Sequence, residues 1–356
     1  MISSRKNGIG ASQVRRPLQQ NLSETYGQFV AEYPMLRPQW WGVNGHVQTL
    51  ASFLLRGPRS TRNSQRRVVP LSDGDRIVIH DDQAKSWITG DRIAILVHGL
   101  CGSHNSPHVR RIAMRLRQHG IRTIRVDMRG FGDSALISRG HLNAGCSDDL
   151  IDVINFVRQL SPLSKFSLVG FSLGANVVLK TLCDWADRHP QDVDSAIAVS
   201  PPIDLERCSM HLRSYGNRFY EYYFMSRLSR ALATRRQKVM NLIDNGLNPL
   251  PDRLIHFDDQ FTAPVNGYSG ARDYYSRCST VNRLKQIYIS TIIVATEDDP
   301  VVPREIFDTS TFSSEIDFIS LRHGGHLGFL GNHHRDPDWH WLDWRICKWL
   351  SQLDER

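Results

Sequence analysis

From about residue 68 the chain alternates short apolar runs with segments whose apolar residues recur at helical spacing. That pattern predicts strands joined by crossover helices into a mainly parallel, doubly wound α/β sheet. The run 92–100 (RIAILVHGL) is continuously apolar from Ile93 to Val97 and predicts a strand; Val109, Ile112, Ala113 and Leu116 then fall on one helical face, closed by Gly120. Further strands are expected at 121–128, 165–171, 193–200, 288–296 and 318–321. Ser147 is placed to cap a helix carrying Asp148 and Asp149 in its first turn and Leu150, Val153, Ile154 and Val157 on one face. Helices are also expected over 174–188 and 339–353.

Between residue 200 and about 286 the alternation stops, and an aromatic, basic helical stretch (RFYEYYFMSRLSRALATRRQKVMNLID) takes over. An insertion there leaves from the carboxyl ends of the strands, where open α/β sheets bind ligands, so it predicts a helical cap over a site. The expected organisation is a loose basic segment at 1–33, the first part of an α/β core at 34–200, the cap at 201–286 and the second part of the core at 287–356.

The candidate chemistry sits at the predicted strand ends. Gly170-Phe171-Ser172-Leu173-Gly174 matches G-x-S-x-G between a strand and a helix, where a sharp turn lifts a serine hydroxyl clear of the sheet. The bare pattern arises by chance in roughly one chain in ten of this length, so its context carries the weight. Acids at Glu297, Asp298 and Asp299 follow the strand 288–296, and His326 lies in the glycine-rich stretch 323–328 after the last strand. The order serine, acid, histidine is the one this fold uses. Serine is a weak nucleophile at neutral pH; His326 would take its proton, and a buried carboxylate would hold the imidazole tautomer and stabilise the imidazolium. Asp299 is favoured as that acid, with Asp298, Glu297 and Asp204 as rivals; His323 is the rival to His326. The backbone N–H groups of Leu100, after the strand ending His98-Gly99, and of Leu173, after the serine, are candidates for an oxyanion hole.

Other conspicuous residues read as structural: His98 as a loop anchor, Cys101 as an inert thiol without its own base, and Trp339, Trp341, Trp344 and Trp349 as packing. The aromatics Phe219, Tyr220, Tyr222, Tyr223 and Phe224 suggest a cap facing an apolar acyl chain.

Composition narrows the setting. With 356 residues, 40% of them hydrophobic and 22% charged, the chain can bury a large core. Its apolar runs fall short of the roughly 20 residues of a membrane span, and residues 1–20 contain no apolar signal core; a cytoplasmic protein is expected. The six cysteines show no metal-ligand or C-x-x-C spacing. The formal charge of +8 resides in residues 1–70, where ten Arg and Lys face only Glu24 and Glu32. Dispersed as they are, these basic residues read as a solvated tail rather than an arm for nucleic acid or a membrane surface.

Together with further motifs, these residues mark a resemblance. The chain from about Pro34 onward resembles the α/β-hydrolase superfamily, and within it the YheT-like subgroup (AB hydrolase family 4). The motifs are Arg37-Pro38-Gln39-Trp40-Trp41 with Asn44-Gly45-His46-Val47-Gln48-Thr49; His98-Gly99-Leu100 with Gly102-Ser103 and Asn105-Ser106-Pro107; Arg129-Gly130; and Phe257-Asp258-Asp259 with Thr262-Ala263-Pro264 and Asp273-Tyr274-Tyr275. Cys146 departs from the pattern, which has Thr or a similar small residue there. The resemblance implies hydrolysis of small-molecule carboxylic esters, acylglycerols or other lipid esters among them. It implies no cofactor or metal and a triad on Ser172, Asp299 and His326, the acid standing four residues before Pro303 in D-x-x-V-P. An acyltransferase using the same triad, or a binding protein on the same fold, are the alternatives; the oligomeric state is not legible.

Overall fold

The computed structural model describes residues 35–55, 57, 64–234, 251–332 and 336–354. The basic segment 1–33 and the carboxyl part of the aromatic, basic stretch, 235–250, lie outside them.

In chain order the main elements are α1 (Gly45–Leu54), β1 (Gln65–Pro70), β2 (Arg76–Asp82), β3 (Ile93–Val97), α2 (Pro107–Gln118), β4 (Arg122–Asp127), α3 (Ser147–Leu160), β5 (Phe166–Phe171), α4 (Leu173–Trp185), β6 (Val193–Val199), α5 (Leu205–Leu212), α6 (Arg218–Thr234), α7 (Ala271–Cys278), β7 (Ser290–Thr296), β8 (Ile316–Leu321) and α8 (Trp341–Asp354). One sheet holds the strands in the order β1-β2-β4-β3-β5-β6-β7-β8. The pairs β1/β2 and β2/β4 are antiparallel, and all the others parallel. The sheet is therefore mainly parallel and doubly wound, as the alternation predicts.

Both faces of the central strands are covered, which is why they read as unbroken apolar runs. In β3, Ala94 and Leu96 join a core with α2 and α8, while Ile93, Ile95 and Val97 join the opposite core with α3 and α4.

The elements missing from the sequence reading are β1, β2 and α1. β2 (RIVIHDD) ends in two acids that argue against a buried strand, yet both are buried because arginines on β4 neutralise them. Arg125 Nε lies 2.6 Å from Asp82 Oδ2, and Arg122 holds Asp81 through Nε at 2.8 Å and Nη2 at 2.6 Å. Buried charges survive when paired and hydrogen-bonded in this way.

Other boundaries shift for local reasons. Residues 98–100 leave the ladder after Val97 and form a loop. Ser147 is the first residue of α3 rather than its cap; Cys146 takes the cap position, and the Ser147 hydroxyl donates to Asp184 Oδ2 at 2.7 Å. The helix expected over 174–188 stops at Trp185 because Ala186 turns to φ +48°, starting a short 3-10 segment.

Candidate active site

Four loops meet at the carboxyl ends of β3, β5, β7 and β8. The first is the turn between β5 and α4. Ser172 sits there with φ +52° and ψ −122°, a strained conformation for a residue with a side chain. The turn closes only because its glycines lack a Cβ. One on Gly174 would come within 2.3 Å of His98 O and 2.5 Å of Val97 O; one on Gly170 would meet Ala175 Cα at 2.5 Å.

The second and third loops bring the histidine and the acid. His326 Nε2 lies 3.0 Å from Ser172 Oγ, and His326 Nδ1 lies 3.0 Å from Asp299 Oδ2. The other oxygen of Asp299 accepts the N–H groups of Val301 and Val302 at 2.8 and 2.9 Å, which aims the carboxylate at the ring. All three side chains are buried. With Asp299 accepting from Nδ1–H, Nε2 is left as the acceptor for the serine proton, the arrangement a general base requires.

The rivals have other work. Asp298 Oδ1 accepts the N–H of Gly325 at 2.9 Å, which braces the loop carrying His326, and its Oδ2 is 3.4 Å from His323 Nδ1. Asp204 caps α5, accepting from the Arg207 N–H, and Glu297 is exposed.

Leu173 N–H opens α4, and Leu100 N–H lies in the loop after β3; neither has a hydrogen-bond acceptor among the described residues. Gly99 lets that loop lie against the serine, since a Cβ there would be 2.9 Å from Ser172 Cβ. His98 anchors it: Nε2 accepts the Met128 N–H at 3.1 Å and Nδ1 donates to Gly99 O at 2.7 Å, a neutral tautomer that burial favours by lowering its pKa.

Further along the same loop, Asp127 accepts the His104 N–H at 2.6 Å and faces His104 Nδ1 at 2.7 Å. Burial opposes ionisation of Asp127, but hydrogen bonds from His104 and His80 outweigh it and hold the carboxyl well below the usual range. His80, His104, Asp127 and Asp133 gather metal-ligand-type atoms within 4.8 Å of one another. The two imidazoles lie face to face at 3.5 Å, and His104 Nδ1 is taken up by Asp127, so the cluster acts as a hydrogen-bonded brace for the loop.

Sequence reasoning quoted the stretch 44–49 without a role for it. In the structure α1 clamps the histidine loop. Thr49 Oγ1 accepts the His326 N–H at 2.8 Å, and Gln48 bonds both the N–H and the C=O of Leu330. A Cβ on Gly45 would strike Asp298 O. The available signal was two polar residues, Gln48 and Thr49, that prove to be buried.

Ser172 opens onto a cavity of about 700 Å³, its mouth included. Most of the lining comes from the residues between β6 and β7, among them Leu205, Leu212, Leu228, Leu254 and Phe257, with Leu100 and Leu142 from the core. Of the five aromatics expected to face an acyl chain, Phe224 lines the cavity. Phe219 and Tyr222 face solvent, and Tyr220 stacks on His46 and hydrogen-bonds it at 3.0 Å. All six cysteines are buried outside any disulfide, and burial pushes the Cys101 thiol up to about 12, which leaves it without nucleophilic character.

The family profile described as the alpha/beta hydrolase fold matches residues 95–332. The chain belongs to that family. Among curated relatives, it is 28% identical over 312 residues to YheT of Escherichia coli (strain K12), whose name includes the word esterase; the match covers 86% of this chain and 90% of the relative. It is 24% identical over 337 residues to the Homo sapiens monoacylglycerol lipase ABHD2, covering 89% of this chain and 79% of that one. Among solved structures, the Pyrococcus furiosus esterase Pf2001 superposes with a TM-score of 0.55 at 15% identity, over 90% of this chain and 98% of that one, a likeness of fold. Among the described residues no helix is long and apolar enough to cross a membrane.

Proposed function

We propose that this α/β-hydrolase cleaves carboxylic esters, with Ser172 as nucleophile, His326 as general base and Asp299 as the acid that orients it. The observation that carries the reading is the unbroken relay from Asp299 to His326 to Ser172, ending at the mouth of an apolar cavity. The names of the relatives point the same way.

Ser172 Oγ attacks the ester carbonyl while His326 Nε2 takes its proton. The N–H groups of Leu100 and Leu173 stabilise the oxyanion, each such donor supplying about 3–4 kcal/mol in comparable sites. Collapse of the tetrahedral intermediate breaks the C–O bond, and His326 returns the proton to the departing alkoxide, releasing an alcohol and leaving an acyl group on Ser172. Water then loses a proton to His326, attacks the acyl-enzyme and frees the acid, restoring the serine. The described residues of the insertion, 201–234 and 251–286, act as the cap that shapes the cavity.

The test is intact-mass analysis after treatment with a fluorophosphonate, beside a Ser172→Ala variant. A single adduct on the parent and none on the variant is expected; a well-folded parent that takes no adduct and hydrolyses no ester would refute the proposal.

A further inference from the structure

The cap reaches the catalytic histidine through α1. In α6, Tyr220, Phe224 and Leu228 follow one another at four-residue spacing and share a helical face. Phe224 and Leu228 form part of the cavity wall. Tyr220, one turn earlier and 5% exposed, bears on α1 instead: its hydroxyl is 3.0 Å from His46 Nδ1, and the two rings stack with centroids 5.7 Å apart.

α1 is wedged between that contact and the triad. Asn44 caps it, accepting the N–H groups of His46 at 2.9 Å and Val47 at 3.3 Å, so His46 stands in its first turn. Three residues on, Thr49 donates its hydroxyl to Gly45 O at 2.7 Å and accepts the His326 N–H at 2.8 Å. Burial pushes the Tyr220 phenol above its usual value, a hydrogen bond with Thr49 opposes this and the charge of Asp299 adds to it, so the hydroxyl stays protonated beside the clamp. The wedge is tight, since a Cβ on Gly325 would come within 2.2 Å of Gly45 O. Backbone packed this closely transmits displacement, so a shift of α1 moves the loop that carries His326. A general base works only within hydrogen-bond reach of the proton it takes.

We infer that Tyr220 is a positioning residue for the reaction at Ser172: from the cap, through His46 and Thr49 of α1, it holds His326 within reach of the serine. The inference rests on ester hydrolysis at Ser172. Because Tyr220 stands outside the cavity wall, its hydroxyl governs the rate of the chemical step and not the binding of the ester.

The experiment measures kcat and KM for para-nitrophenyl butyrate, together with the rate of fluorophosphonate labelling, in the parent, Tyr220→Phe, Thr49→Val and the double variant. Tyr220→Phe keeps the ring and its packing and removes only the hydroxyl. It should lower kcat and the labelling rate by about tenfold or more while KM stays within about twofold of the parent. In the Thr49→Val background the same exchange should cost little more, because the route to His326 is already broken. A hydroxyl with a merely structural role lowers the melting temperature and leaves kcat intact, and that result would overturn the inference. So would a raised KM at unchanged kcat, or losses that multiply independently in the double variant. If Tyr220→Phe does not fold, His46 serves: His46→Leu should reproduce the loss, and His46→Asn, which keeps a polar atom near the Nδ1 position, should restore the rate. A parent that labels and hydrolyses the ester while its variants match it sinks this inference alone; a parent that does neither sinks the reading beneath it.

Discussion

Asp298 accepts the N–H of Gly325 at 2.9 Å, one residue before the acid that faces His326. Two adjacent aspartates thus divide the work: one shapes the histidine loop and the other orients the ring. Asp299→Asn should lower kcat/KM for ester hydrolysis by about 10⁴-fold, as the same exchange does in another serine triad. Asp298→Ala, which loses one loop hydrogen bond, should cost about 1 kcal/mol of stability and far less activity. Steady-state kinetics on the two variants separates them; equal losses would reverse the assignment.

Thr49 holds the backbone of His326 from a helix far away in sequence. Thr49→Val leaves that buried N–H without an acceptor and should cost about 1–3 kcal/mol, with slower fluorophosphonate labelling of Ser172. Thr49→Ser keeps the hydroxyl and should restore both. Denaturant titration and labelling rates measure them.

Gly174 faces backbone carbonyls at distances no Cβ tolerates, whereas a Cβ on Gly216 would meet nothing within 4 Å. Gly174→Ala should therefore destabilise by about 3 kcal/mol and displace Ser172. Gly216→Ala should stay within about 0.5 kcal/mol of the parent. Thermal melts and activity of the two would show the contrast.

Arg125 and Asp82 form a fully buried pair, and Arg125 also donates to His104 O at 2.7 Å. Arg125→Met strands the carboxylate and should cost about 3–5 kcal/mol. Adding Asp82→Leu should recover much of that loss. Urea denaturation of the single and double variants gives the coupling.

Asp258 binds a proton more tightly when folded than its ordinary value near 3.8 allows, with burial as the main cause and a folded value of about 6. Between those two values the folded chain carries a proton that the unfolded chain has lost, so the parent loses stability as pH rises through that window. Asp258→Asn lacks that loss. Its melting temperature should rise relative to the parent between pH 4 and pH 7, by a few degrees; a constant difference across that range would contradict the burial argument.

The central strands were legible because both faces of β3, β5, β6 and β7 are covered, which forces continuous apolar runs. The G-x-S-x-G turn was legible because only glycine fits at 170 and 174. Local sterics and local solvation leave their mark on consecutive residues, so the sequence by itself determined the central strands, their crossover helices and the candidate serine and histidine.

Tertiary structure decided what depends on partners distant in the chain. β2 escaped detection because Asp81 and Asp82 are compatible with a buried strand only when Arg122 and Arg125 stand beside them. The division of labour between Asp298 and Asp299, the clamp of Thr49 on His326 and the meeting of Asp258 with Ser172 around one cavity are likewise matters of contact. A hydrogen bond or a shared cavity is set by position in space, and the spacing of those residues along the chain carries no trace of it.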